Sequence, residues 1–584
     1  MTEPDRRPVE PLAVSDLIWL AVALLLIIAA GYGWRDPWPA DEPRFASLAR
    51  DMATSGDWLF PRVGGDLYQD KPPVFFWLLA ASYSLIGTIR HSFLLPSLLA
   101  AAGTLFLLYD LGRRLVSRRA GFIAALATVS TLQFVLVMRG AQIDGVLCLL
   151  TTLSLYGLLR HLVLGPAWGW YFIGGLAAGI GIITKGVGFL PFLLLVPYLW
   201  LRRTGWQGLA PLNGGGAKWW LAPLGMLLGV SIWLVPMLIA VAQRGAPEFV
   251  AYRDEILLQQ TVTRYAKSWH HLRPWYYFIV EVIPALWLPM SALLFWLVPR
   301  WARAWRARDA RVWLPLAWAV LVLVFFSASP GKRGVYLLPA LPAMIIAAMP
   351  YLSELVLKRG VQRLLVALGA VLWLGGAVVL AGYWLQQPRI LELFAAAGLQ
   401  SIAPAAAYLL LATVALGLSA WRLPVVSWTA VLAALAVTWG FSIAPALDPV
   451  RSSSGFIRQM LAKVPAGHTL GLVAYKEQFL LYIDRPSINF GHRRWLEGPQ
   501  EAFDAAAWLA AAPNRILLVP EGSLQPCFAA AETRILAGVS SDDAWYLVGS
   551  PADPACVAKG DPSRAIEYVH PVDSVTASLL IPAT

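Results

Sequence analysis

Pro39-Ala-Asp-Glu-Pro-Arg-Phe-Ala-Ser-Leu-Ala-Arg-Asp-Met52, followed soon afterwards by Asp70-Lys71-Pro72-Pro73, is the stretch on which the reading of this chain turns. It comes directly after a first apolar run, residues 15–32. Pro39 and Pro43 stop that run from continuing, and Asp41, Glu42 and Arg44 sit at the stop. Ionisable groups beside a bilayer are rare and mark functional sites by default. Downstream, helical spacing puts Phe45, Leu48, Ala49 and Met52 on one face. The spacing predicts an amphipathic helix over 41–53 that lies on the membrane surface.

The rest of the chain agrees with a membrane setting. Of 584 residues 58% are hydrophobic and only 14% charged, which excludes an ordinary soluble domain and implies a polytopic membrane protein. The net charge of +12 falls in short Arg clusters between apolar runs. That is a topology signal and not a nucleic-acid surface. Residues 15–32 are long enough to span and are followed by Gly33-Trp34-Arg35-Asp36 instead of a cleavage site, so they read as a first span. Residues 74–87 are apolar but short of the ~20 residues a span needs. As a span they would throw Arg113, Arg114, Arg118 and Arg119 outside; as an interfacial helix they leave that cluster cytoplasmic.

With that choice, about thirteen spans follow with every strong Arg cluster on one side. They are residues 15–32, 92–112, 120–138, 145–159, 167–183, 187–201, 219–242, 274–298, 312–326, 335–352, 364–384, 405–420 and 423–446. The membrane domain is thus 1–446, with a first outer loop at 33–91. From Asp448 charge returns, and 447–584 reads as an extracytoplasmic α/β domain. Helices are expected at 455–464 and 501–511, and strands at 468–475, 515–520 and 545–549. Cys148 lies in a span. Cys527 and Cys556 could pair if the C-terminal domain is extracytoplasmic.

On this topology the unusual polar residues gather on the outer face. They are Asp41, Glu42, Arg44, Asp70 and Lys71; then Arg139, Asp144 and Lys185; then Arg253, Asp254, Glu255, Arg264, Lys267, His270, His271 and Arg273; and finally Lys332 and Arg333. Cations there run against the positive-inside trend. A phosphate at the membrane surface would explain them, since Lys and Arg bind phosphate through charge-assisted hydrogen bonds. Asp41 and Asp144 begin or end helical segments on the same side and could share one cavity. Singly, each residue has a plainer reading. Asp41, Glu42 or Asp144 could cap a helix, Lys71 and Lys185 could snorkel, and Lys332 and Arg333 could touch lipid headgroups. Adjacent histidines such as His270 and His271 point to different helix faces and do not make a zinc site.

Asp41-Glu-Pro-Arg-Phe-Ala-Ser-Leu-Ala-Arg-Asp-Met52, Gly56-Asp57-Trp58 and Asp70-Lys71-Pro72-Pro73 with Trp77 together resemble the first outer loop of the bacterial aminoarabinose lipid A transferases. These belong with the protein O-mannosyltransferase-like enzymes of the GT-C class. The likeness continues through Arg139 to Asp144, through Gly181-Ile-Ile-Thr-Lys185-Gly186 and through Ser329-Pro-Gly-Lys332-Arg-Gly-Val-Tyr336-Leu-Leu-Pro339-Ala-Leu-Pro342. It implies a GT-C fold with interfacial helices in the first loop and a C-terminal periplasmic domain, in a bacterial inner-membrane protein whose N-terminus is cytoplasmic. It also implies an inverting glycosyltransferase that takes a sugar, 4-amino-4-deoxy-L-arabinose in this branch, from undecaprenyl phosphate to a lipid A phosphate.

Carried over by motif, Asp41 is the principal catalytic carboxylate and Asp144 the second. Lys71 holds the donor phosphate, and Arg44, Lys185, Arg264 and Tyr336 line the lipid-phosphate pocket. Glu42, Asp70, Arg139, Lys332 and Arg333 are further candidates from the outward cluster. Pro330-Gly331-Lys332-Arg333-Gly334 departs from the Ser-Lys-Leu-Pro-Thr-Tyr-like string of that branch, which leaves the acceptor side open. Another envelope glycan or a protein hydroxyl is the alternative acceptor, and a divalent metal is neither required nor excluded. A polyprenyl-lipid transporter would instead show charges deep in its spans and paired broken helices, which the sequence does not display. A catalytically idle sensor or assembly subunit would have no need to keep Asp41, Lys71 and Asp144 together.

Overall fold

In lipid every backbone N–H and C=O has to be satisfied within the protein, so apolar runs fold as helices. The computed structural model describes residues 9–212, 214–257, 272–492, 494–529 and 534–569. Among the described residues seven helices are long and apolar enough to cross a membrane, or up to nine if each of two bent pairs is one span. The chain is a polytopic helical membrane protein. The expected tally of about thirteen differs because several apolar runs are short or segmented. Residues 15–32 and 335–352 appear as the shorter helices Val14–Ala29 and Ala340–Leu355. Residues 187–201 become a 3-10 turn, Leu190–Leu194, followed by the helix Leu195–Arg203. Val74–Ile86 has 13 residues and so reaches about 20 Å, less than the ~30 Å of hydrocarbon.

The expected lack of paired broken helices is corrected here: two bent helix pairs that the sequence did not reveal shape the centre of the molecule. Arg118–Val129 and Leu132–Met138 meet at 64°, and Phe278–Leu286 and Met290–Arg306 at 110°. The two breaks touch. Leu132 N–H, freed at the first, donates to Leu288 C=O at the second over 3.0 Å. The buried Gln133 accepts from Trp287 Nε1 (2.6 Å) and donates to Gly334 C=O (2.7 Å). Ser130 and Thr131 hydroxyls bond back to Leu126 and Ala127 carbonyls, the local competition that ends a helix. The breaks are invisible in the sequence because their loose backbone groups are satisfied by each other.

Close helix crossing fixes a second part. In helix Trp168–Lys185, Gly175 lies against the backbone of Ala222 and Gly179 against Met226 and Gly229 of helix Leu221–Arg244. A Cβ on Gly179 would lie 2.2 Å from Met226 O, so only glycine lets the backbones approach. This contact seats the helix that ends at Lys185.

The helix expected over 41–53 is Glu42–Ser55, with Pro43 in its first turn and Gly56 closing it at φ 74°. Phe45, Leu48, Ala49 and Met52 are buried as expected, with Phe45 packed on Phe75 and Phe76 of helix Val74–Ile86. Its opposite side is not left to water. Ser47 and Arg50 are buried too, and Arg50 donates to Leu480 C=O (2.8 Å) and Leu481 C=O (3.3 Å) of the C-terminal part. The expected surface-lying amphipathic helix is therefore corrected to one enclosed on both sides.

Strands β1 (Arg62–Val63) and β2 (Asp66–Leu67) form a hairpin. Its turn is Gly64-Gly65, at φ 59° and 99°, as a two-residue turn of this kind demands. The C-terminal part is built on six strands: β3 Thr469–Leu472, β4 Ser487–Asn489, β5 Arg515–Pro520, β6 Arg534–Ser540, β7 Asp543–Val548 and β8 Ile566–Tyr568. Their order is β6-β7-β5-β3-β4-β8, with β3 parallel to β4 and β5 and the other pairs antiparallel. Helices Ser454–Lys463 and Gln500–Ala510 match the expected ones. β3, β5 and β7 match the expected strands, whereas β4, β6 and β8 were not foreseen. Cys527 and Cys556 are disulfide-bonded.

Asp51 lies at the seam between helix Glu42–Ser55 and β8, where Tyr568 O–H donates to it over 2.9 Å. Burial pushes its carboxyl up to about 6, against the opposing pull of Arg50 and the Tyr568 bond. An acid with a raised folded pKa binds its proton more tightly when folded, so stability falls as pH rises from about 4 to 6 and stays lower above. Asp51→Asn should therefore raise the melting temperature at pH 7.5 by a few degrees, on the order of 1–3 kcal/mol. The gain should shrink to nothing as pH falls towards 4. Melting curves of purified protein across this range check both the size and the direction.

Candidate active site

Three sequence candidates turn out to hold backbone. Glu42 is buried and accepts from both Nη atoms of Arg35 (2.5 and 2.8 Å), from Trp38 N–H (2.9 Å) and from Ala141 N–H (3.0 Å). It clasps the first loop to the 139–144 turn. Arg139 donates to the carbonyls of Ile27 (2.7 Å), Ile28 (3.4 Å) and Ala30 (2.9 Å) and so closes the end of the first helix. Lys332, also buried, donates to Ser329 C=O (2.5 Å) and Arg273 C=O (3.0 Å); burial lowers its pKa.

The remaining candidates form two clusters. In the first, half-buried Asp41 stands just before helix Glu42–Ser55 without a side-chain capping bond and is paired with Arg44; Arg333 Nη2 lies 3.6 Å from its other oxygen. Arg44 Nη1 also reaches Glu477 of the C-terminal part (3.3 Å), and Glu477 is 2.7 Å from His492 Nε2. Burial alone would lower the Arg44 pKa, but Tyr68, Glu477, Asp41 and Asp70 around it raise it. Burial alone would raise Glu477, but the His492 hydrogen bond and the Arg44 charge hold its carboxyl below the usual range. Arg44 Nε is a buried donor with no partner among the described residues.

In the second cluster Asp144, in the first turn of helix Ile143–Leu162, pairs with Lys185 at the end of helix Trp168–Lys185. Lys185 Nζ sits 4.6 Å over the Tyr336 ring. One turn joins the clusters. Tyr336 N–H donates to Arg333 C=O (3.0 Å), which keeps their Cα atoms within about 7 Å. Arg333 faces Asp41 and Tyr336 faces Lys185, so the two carboxylate–cation pairs are neighbours. Asp70 is buried and Lys71 half-buried, just before the helix Val74–Ile86. Arg264 lies outside the described residues, as do Lys267, His270 and His271.

Sequence reasoning missed Glu477 and His492. With Arg44, Lys476 and Glu501 they bound a cavity of about 450 Å³ between the first loop and the C-terminal part. No periodicity singles them out; each is an ordinary charged residue in a loop-rich stretch. The cavity also receives Tyr475, whose buried hydroxyl has no partner among the described residues. Among the described residues no group of three or more His, Cys, Asp or Glu is placed to hold a metal ion. Asp41 and Asp144 instead face cations.

Known proteins share this arrangement of helices. The family model for dolichyl-phosphate-mannose-protein mannosyltransferases matches residues 70–234. The undecaprenyl phosphate-alpha-4-amino-4-deoxy-L-arabinose arabinosyl transferase of Pseudomonas aeruginosa is 32% identical over 439 residues, covering 70% of this chain and 73% of that protein. The protein of the same name from Yersinia enterocolitica is 28% identical over 358 residues, 59% of this chain and 60% of that one. The crystal structure of ArnT from Cupriavidus metallidurans bound to undecaprenyl phosphate has the same fold. It superposes with a TM-score of 0.69 at 20% identity and covers 92% of this chain and 100% of that one.

The two neighbouring acids of the first loop should respond differently to truncation. Glu42→Ala leaves Arg35 buried without its counter-charge and should lower stability by roughly 3–5 kcal/mol. Asp41→Ala, at a half-exposed pair whose arginine keeps Glu477, should change stability by less than about 1 kcal/mol. Thermal melts of the two purified variants test this; a Glu42→Ala protein melting with the wild type would remove the clasp.

Proposed function

This chain belongs to the undecaprenyl phosphate-alpha-4-amino-4-deoxy-L-arabinose arabinosyl transferase family of glycosyltransferases, and on that premise we propose that it moves 4-amino-4-deoxy-L-arabinose from undecaprenyl phosphate to a lipid A phosphate at the periplasmic face of the inner membrane. The observation that carries the reading is the pairing of two carboxylate–cation clusters, Asp41 with Arg44 and Arg333, and Asp144 with Lys185 under Tyr336, across one turn.

In the proposed reaction an acceptor oxygen attacks the anomeric carbon from the face opposite the donor phosphate, and the bond to that phosphate breaks. Negative charge grows on the leaving phosphate. Lys71 and Lys185, the latter with Tyr336 beside it, are the groups to hold it, because fixed cations in a water-poor site cost no reorganisation as charge develops. Arg44 and Arg264 complete the proposed phosphate pocket. Asp41 faces the acceptor. A phosphate monoester has its second pKa at about 6, so a lipid A phosphate arrives ionised and would be held by the guanidiniums of Arg44 and Arg333, which Asp41 positions; a hydroxyl acceptor would use Asp41 as general base. Asp144 keeps Lys185 aimed.

The same reading sets the topology. The N-terminus is cytoplasmic, residues 1–446 form the membrane domain with about thirteen membrane-embedded segments, and residues 447–584 form a periplasmic α/β domain. The Cys527–Cys556 disulfide supports this side for the C-terminal domain, since such bonds persist in oxidising compartments.

Asp41→Asn should reduce transfer by at least about 100-fold while undecaprenyl-phosphate binding and the melting temperature stay at wild-type values. Wild-type turnover in that variant would overturn the assignment. Mass spectrometry of lipid A from cells with and without the gene tests the acceptor. A mass gain matching aminoarabinose on lipid A phosphates is expected, and an unchanged lipid A would point to a different acceptor.

A further inference from the structure

We propose that Glu477, on the C-terminal domain, is a positioning residue for the transfer: it anchors Arg44 so that Asp41 keeps the orientation in which it meets the acceptor. The inference rests on Asp41 acting at the reacting centre, as proposed above.

Arg44 is shared between two carboxylates. Nη2 pairs with Asp41, and Nη1 points at Glu477, 3.3 Å from Oε1 and 3.5 Å from Oε2. A guanidinium is a rigid planar fork, so fixing one Nη fixes the direction of the other. Glu477 is itself held. His492 Nε2 lies 2.7 Å from Oε1, and His492 N–H donates to Asp66 of the β1–β2 hairpin over 2.6 Å. Glu477 also begins the 3-10 turn Glu477–Leu481, whose last two carbonyls bind Arg50 of helix Glu42–Ser55. The C-terminal domain thus grips this helix at Arg50 and Asp51 for seating and at Arg44 beside Asp41.

Charge gives the grip a chemical consequence. Glu477 draws half of the Arg44 fork away from Asp41. Without that carboxylate the fork is free to turn both nitrogens onto Asp41, and bidentate pairing would occupy the oxygens the acceptor needs. The donor phosphate is assigned above chiefly to Lys71 and Lys185, and Arg44 keeps its charge when Glu477 is replaced, so donor affinity should follow only weakly.

The test is the Glu477→Gln full-length enzyme, purified and assayed with the undecaprenyl-phosphate sugar donor and lipid A. We expect kcat to fall roughly tenfold, with the donor KM within about twofold of wild type and the melting temperature unchanged. A wild-type kcat overturns the inference. So does a lowered melting temperature whose loss of kcat disappears when the assay is cooled, because that is what a purely structural contact would give. Should Glu477→Gln not fold, Glu477→Asp is read in the same way: it keeps the charge but shortens its reach, and a reduced kcat at unchanged KM supports the role while a wild-type kcat overturns it. Asp41→Asn assayed alongside separates the two readings. An active Asp41→Asn enzyme removes the premise, whereas an inactive one beside a fully active Glu477→Gln enzyme removes only the role of Glu477.

Discussion

A buried carboxylate is tolerated only when donors meet its lone pairs, and Glu42 has four aimed at it, two from Arg35 and two from backbone N–H groups. One of those backbone donors is its neighbour Trp38 and the other is Ala141, nearly a hundred residues on. The single side chain therefore ties the loop that carries Asp41 to the turn that carries Asp144. Arg35 extends the tie by donating to Arg139 C=O (3.3 Å), while the Arg139 side chain closes the first helix. With its neighbour so fully engaged, Asp41 is the acid of this loop left facing outward, toward Arg44 and Arg333.

The middle of the membrane domain solves a different problem. Two helices break, and each break would strand polar backbone in an apolar setting. Placing the breaks against each other lets Leu132 N–H meet Leu288 C=O, and lets Gln133 span from Trp287 to Gly334. Gly334 sits between Arg333 and Tyr336, the residues that face the two clusters. The same hydrogen bonds that make the breaks affordable thus fix the turn joining Asp41 to Lys185.

The C-terminal part covers helix Glu42–Ser55. Its sheet places the Glu477–Leu481 turn over the helix, Asn489 donates to Gly64 C=O of the hairpin (2.9 Å), and Tyr568 reaches Asp51. These contacts leave the cavity of about 450 Å³ beside Arg44. A helix that would otherwise lie half in water is buried on both sides, so its burial depends on residues more than four hundred positions away.

By itself the sequence determined the membrane class, most helix positions and the face Phe45, Leu48, Ala49 and Met52 bury, because composition and period are local properties. It also singled out Asp41, Asp144, Lys185 and Tyr336, through motifs that stand out in a chain poor in charge. Tertiary structure alone decided which of two adjacent acids is the clasp and which faces outward, since Asp41 and Glu42 differ only in what folds around them. It alone revealed the paired breaks, whose partners lie more than 150 residues apart, and the place of Glu477 and His492 beside Arg44. Those are long-range pairings between ordinary polar residues, and no period or spacing along the chain encodes them.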